Sequence, residues 1–215
     1  MLYKVVMYLL GSGAHIHYIY ECDQNILHRV LSSIRKIYKD NVDQYSDDCI
    51  QVVKTLINMG VDVNKPDIDG KTPLFYIVHD KLFRLQYNLV TELLDADCNV
   101  NHQNKKGQTP LMYFTRNQAD IRILRLLIHH SDVNLTDNNG DTACSYCVQY
   151  HLFNCTNIFK RYPLGVLMSP KNGVKLFHQI LACKRLELFY YYMGLQLIVN
   201  GVTTKGENML HLLAR

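Results

Sequence analysis

Apolar residues recur along this chain at helical spacing, in separate blocks. Ile26, Leu27, Val30, Leu31, Ile34 and Ile37 share one face of a 3.6-residue helix. Ile50, Val53, Leu56 and Ile57 repeat the pattern in a helix ending at Gly60. Ser46 reads as the N-cap of that second helix, with Asp47 and Asp48 favourably placed in its first turn. Further helices are expected near Asn88–Leu94 and Ile121–His129, and a long apolar one around Leu186–Leu197. The fold class this predicts is all-α, built from paired antiparallel helices joined by tight turns.

One polar phrase is written twice between these blocks. Val63-Asn64-Lys65-Pro66-Asp67-Ile68-Asp69-Gly70-Lys71-Thr72-Pro73-Leu74-Phe75 returns as Val100-Asn101-His102-Gln103-Asn104-Lys105-Lys106-Gly107-Gln108-Thr109-Pro110-Leu111-Met112. Gly70 and Gly107 suit a turn position with positive φ, where a Cβ is strained. Thr72 and Thr109 can N-cap a helix and leave proline at its first position, where the missing N–H costs nothing. Leu74 and Leu111 open the apolar face. Gly107, Gly140, Gly173 and Gly206 follow one another at intervals of 33 residues, and Gly70 precedes Gly107 by 37. Asn64, Asn101, Asn134 and Asn200 each stand six residues before one of these glycines.

A glycine turn followed by Thr-Pro-Leu, with a period of 33, resembles the ankyrin repeat. The resemblance implies an all-α ankyrin-repeat solenoid, one domain spanning 1–215. Residues 1–17 are a partial repeat and 18–64 a long one, with Leu27-His28 in its first helix and Asp23 where glycine is expected. Its extra length is assigned to a lengthened first helix and loop between Ser33 and Tyr45. Residues 65–101 and 102–134 are the clearest units, 135–167 is degenerate, 168–200 follows, and 201–215 is partial. A chain that starts and stops inside repeats reads as a fragment of a longer repeat protein.

The texture narrows the resemblance. Repeat lengths are irregular, and Tyr, Asn, Ile and Asp are abundant. The histidine of the Thr-Pro-Leu-His step is replaced by Phe75 and Met112 and kept as His28, His178 and His211. Stretches such as LLIHHSDVNLTDNNGDTACSYC and GENMLHLLAR resemble the ankyrin proteins of poxviruses, orthopoxviruses in particular. That family implies binding of a host protein in the host cell cytoplasm, in innate immunity or host-range control. Its members usually add a C-terminal F-box-like segment that recruits the Skp1 adaptor and cullin-1. Such a segment is not found before Arg215, so Skp1 and cullin-1 recruitment is not expected of these residues. The alternative function is that of a degraded, inactive remnant of a longer ankyrin/F-box gene.

Composition then removes other classes. A formal charge of +4, without a Lys/Arg run, gives no footprint for a nucleic-acid partner. Seven cysteines scattered without a framework point to a reducing compartment. The apolar run Val5–Leu10 is too short for a signal peptide, and Phe189–Val199 too short to span a bilayer, so no membrane partner is expected. The sequons at Asn134 and Asn154 fall inside repeat units and read as accidental.

The competing chemical constellation is Cys144-x2-Cys147-x3-His151-x3-Cys155, three thiols and an imidazole that could hold tetrahedral zinc. The repeat places Cys144 and Cys147 at core positions, where cysteine acts as a small hydrophobe, so no metal, no cofactor and no catalytic residue is assigned. His15, His17, His129 and His130 read as solvated or capping residues, and Asp67, Asp69, Asp137 and Asp141 as turn residues. In the Tyr190–Tyr192 run, one or two rings are expected to pack inward. Partner binding is assigned to hairpin tips and first-helix ends along a concave face. The tip residues, expected to be exposed, are Ile68, Asp69, Lys71, Lys105, Lys106, Gln108, Asn138, Asn139, Asp141, Lys171 and Asn172. The first-helix ends add His79, Asp80, Arg116, Asn117, Gln149 and Tyr150.

Overall fold

The structure, a computed structural model, describes residues 15–37, 46–77 and 83–150. Two compact units divide the chain, Met1–Ser131 and Asp132–Arg215. The turns expected at Gly173 and Gly206, and the helix around 186–197, lie outside the described residues.

The first unit holds α1 (Ile26–Ile37), α2 (Ser46–Asn58), a 3₁₀ turn (Pro73–Ile77), α3 (Phe83–Asp95), α4 (Pro110–Arg116) and α5 (Ile121–His130). Two layers result. One is α1, the 3₁₀ turn and α4, each packed on the next; the other is α2, α3 and α5, stacked in the same order. The apolar periodicity of the chain becomes the seam between the layers. α1 packs on α2, and Leu27, Leu31 and Ile34 of the one and Val52, Val53 and Leu56 of the other are all buried. The 3₁₀ turn packs on α3, and α4 on α5, with Leu74, Ile77, Leu89, Val90 and Leu93 buried in the first pair and Leu111, Phe114, Ile123, Leu124 and Leu127 in the second. At about 25 cal/mol per Å² of apolar surface removed from water, this seam dominates the stability of the stack.

The turns follow the sequence closely. Gly70 and Gly107 have φ of 75° and 72°. Asp23, in glycine's place, also adopts a positive φ of 59°. Gly70 is doubly constrained, because a Cβ there would stand 3.0 Å from the Lys105 amide nitrogen of the next tip. Thr109 caps α4 by accepting from the Met112 amide at 3.3 Å, and Pro110 fills the first helical position. Asn25 does the same for α1, accepting from the His28 amide at 3.2 Å. The segment opened by Thr72-Pro73 winds as a 3₁₀ turn rather than an α-helix, with the Phe75 amide donating to the Thr72 carbonyl at 3.0 Å. Ser46 lies within α2 as its first residue.

The second helices α2 and α3 end in left-handed caps, whereas α5 ends at Ser131 in extended backbone. Gly60, φ 83°, closes α2, its amide bonding the Ile57 carbonyl and that of Val61 the Leu56 carbonyl. Asp97, φ 56°, closes α3 the same way through its own amide and that of Cys98. Asn64, one of the recurrent asparagines, then ties its repeat to the next. Asn64 accepts from the Asn99 amide at 2.6 Å and donates from Nδ2 to the Asp97 carbonyl at 3.3 Å.

In the second unit the described residues are 132–150. Gly140, φ 77°, turns the chain into α6 (Ala143–Gln149). Thr142 and Ser145 cap that helix reciprocally, each hydroxyl accepting from the other residue's amide at 3.2–3.3 Å. No strand occurs among the described residues.

Candidate functional site

The hairpin tips at Gly70, Gly107 and Gly140 are each built around an acidic or amide side chain three residues before the glycine. Oδ1 of Asp67 accepts from the Asp69 and Lys71 amides at 2.9 and 2.7 Å. Oδ1 of Asn104 accepts from the Lys106 and Gln108 amides at 2.9 and 3.0 Å. Oδ1 of Asp137 accepts from the Asn139 and Asp141 amides, both at 2.9 Å. One side chain thus satisfies two amides that the reversal would otherwise leave bare. Adjacent tips in the first unit join through their backbones. The Ile68 amide donates to the Cys22 carbonyl at 2.8 Å, and the Lys105 amide to the Asp69 carbonyl at 3.0 Å.

The second atom of that key side chain sets what surrounds the tip. In Asp67, Oδ2 accepts from the Tyr76 hydroxyl, and in Asp137 it accepts from the Tyr146 hydroxyl at 2.9 Å. Asn104 carries an NH₂ there, which donates to Gln108 Oε1 at 3.3 Å. Tyr113, the counterpart of Tyr76, turns instead toward the preceding repeat. Its ring lies edge-on to Phe75 at 5.4 Å, with Lys71 Nζ 5.8 Å from its centroid.

These choices open a groove of about 340 Å³ between the Gly70 and Gly107 tips. Asp69, Lys71, Asn104, Lys105, Lys106, Gln108, Tyr113, Arg116 and Asn117 line it. Seven of these nine are positions expected from the repeat to meet a partner. Ile68 is half-exposed at the neighbouring tip. In the second unit Asn138, Asn139 and Gln149 are exposed, and Tyr150 stacks on Tyr146 at 6.1 Å. His79, Asp80, Lys171 and Asn172 lie outside the described residues.

Two expectations of exposure are corrected. Gln108 and Asp141 are only 3% and 7% exposed. Both follow their glycine directly, and both return an amide to the key side chain and a carbonyl to its own backbone amide. In Gln108 the carboxamide is also drawn inward by the Asn104 NH₂. Conversely, Asn104 and Tyr113 belong to the groove and were missed. Tyr76, Tyr113 and Tyr146 all stand six residues after a turn glycine, a recurrence visible in the chain that could have found them.

Electrostatically the groove is basic. Lys71, Lys105, Lys106 and Arg116 face a single carboxylate, Asp69, whose Oδ2 is 3.2 Å from Lys71 Nζ. The chain as a whole is nearly balanced, 23 basic against 19 acidic residues, so this excess is local.

Of the thiol cluster, Cys144 and Cys147 are buried on α6, while His151 and Cys155 lie outside the described residues. Buried Cys98 shows how the chain uses such a residue. Burial, and then the Asp97 carboxylate, push its thiol up to about 12, so it remains a protonated, apolar filler. Among the described residues no helix is long and apolar enough to cross a membrane.

Residues 83–162 match the family model described as Ankyrin repeats (3 copies). Together with the stacked helix pairs and glycine turns, this makes the fold of the described residues all-α and ankyrin-type. Ankyrin repeats are general protein–protein interaction modules rather than catalytic ones. No curated protein matches the chain.

Proposed function

We propose that the chain binds a host protein through the surface formed by its hairpin tips and first-helix ends, without catalysis. The observation that supports this is the groove itself. Seven positions chosen for partner contact come from two repeats and line one concavity, carried on turns that backbone hydrogen bonds hold together. Rigid tips lose little conformational entropy on binding, which is what a recognition surface requires. The poxvirus-like texture of the repeats supports a viral setting, with the partner in the host cytoplasm and a role in innate immunity or host range. Proximity labelling from the tagged chain in infected cells tests the reading. A host protein enriched over a tag-only control, and recovered again with purified chain, is expected. If neither experiment enriches any protein, the reading falls.

A further inference from the structure

We infer that the groove between the Gly70 and Gly107 tips takes a short acidic segment of the partner, a run of Asp or Glu side chains. The inference deepens the proposed protein-binding reading and rests on it. The groove carries four cationic side chains against one carboxylate. They come from three separate stretches: Lys71 after the first turn, Lys105 and Lys106 before the second glycine, and Arg116 at the end of α4. Lys106 and Arg116 are exposed, and no salt bridge involves either among the described residues.

The chemistry already present shows how a carboxylate is received. Asp69 Oδ2 sits 3.2 Å from Lys71 Nζ, whose ammonium also lies 5.8 Å from the centre of the Tyr113 ring. Separate single charges suit successive carboxylates. A convergent guanidinium cluster would suit phosphate, because the planar fork grips it bidentately, and the groove holds only one arginine. A nucleic acid would need the basic stripe to continue, and at the preceding tip it meets Glu21 and Asp23 instead. Tyr113 adds an apolar flank, and the Asn117 carboxamide is held by the Tyr113 carbonyl at 2.7 Å.

The test is fluorescence anisotropy with labelled octaglutamate, its octaglutamine counterpart and a short oligothymidylate, on the full chain at low and at physiological salt. Octaglutamate is expected to bind, octaglutamine not to bind, and salt to weaken the complex by screening. Lys106→Glu with Arg116→Glu should weaken it about tenfold or more, since two attractions become repulsions. The milder pair Lys106→Gln and Arg116→Gln should fall between. Both pairs alter exposed side chains, and unchanged circular dichroism and thermal midpoint will show the fold intact. The inference is overturned if wild type ignores octaglutamate, if the charge-reversed variant binds it undiminished, or if oligothymidylate binds at least as tightly. Cellular partners separate this failure from that of the wider reading. Partners kept by the charge-reversed variant sink the groove assignment alone, and no partner for wild type sinks the protein-binding reading.

Discussion

The Asp67 and Asn104 turns share backbone, glycine and hydrogen-bond geometry, yet present different surfaces. In both, Oδ1 accepts two amides. A carboxylate then has a second acceptor left, and Tyr76 donates to it, so the ring is tied to its own turn. A carboxamide has a donor left, Gln108 accepts from it, and Tyr113 swings to Lys71 and Phe75. The Asp137 turn, considered within its own unit, behaves like Asp67 and ties Tyr146. Replacing one oxygen by nitrogen therefore decides whether a repeat spends its tyrosine on its own turn or on a surface shared with the neighbour.

The largest expected effect probes the shared half of that comparison. Asp67→Ala removes an acceptor of two amides and one hydroxyl in a buried turn and should cost about 2–4 kcal/mol. Urea unfolding measures it, and a midpoint equal to wild type would show that the side chain does not organise the turn.

The next separates the two halves. Tyr76→Phe should cost about 1–2 kcal/mol, because a charged acceptor loses its hydroxyl. Tyr113→Phe should change stability by less than about 0.5 kcal/mol, since the ring contacts survive. Equal losses in thermal melts of the two variants would erase the distinction drawn between the turns.

The smallest effect depends on pH. His28 occupies the position held by Phe75 and Met112 in the next repeats. Its Nε2 donates to the Lys71 carbonyl at 3.0 Å, and Nδ1 accepts from the Asn25 amide at 3.1 Å. Burial holds its pKa below the ordinary value of 6.5, outweighing the Lys71 hydrogen bond and the Asp67 and Asp62 charges, which raise it. The folded state thus binds the proton less readily than the unfolded chain does. The stability held by neutral His28 is complete above pH 6.5 and is lost as pH falls below it. Chemical unfolding of wild type and His28→Gln across this range should show a shallower acid-side decline in the variant. Parallel curves would mean that His28 is not the group responsible.

Much of this fold was legible because its determinants are local. A glycine with positive φ, a Thr-Pro helix start and an apolar helical face each act within a few residues, so Gly70, Gly107, Gly140 and Thr109 stand where the repeat put them. Asp23 in glycine's place was legible for the same reason. The 3₁₀ winding of Pro73–Ile77 was not, since nothing in Thr-Pro-Leu distinguishes it from the α-helical Pro110–Arg116.

The sequence by itself determined the period, the turns and the apolar seam, and it marked most of the residues that surround the groove. Tertiary structure alone decided which tips meet, because the backbone bond from Lys105 to Asp69 joins residues far apart in the chain. It also decided that Tyr113 turns outward, onto Phe75 and Lys71 of the preceding repeat. Those outcomes depend on how donors and acceptors are matched once the repeats are stacked, and a residue's type and spacing do not specify its partner until the neighbouring repeat is in place.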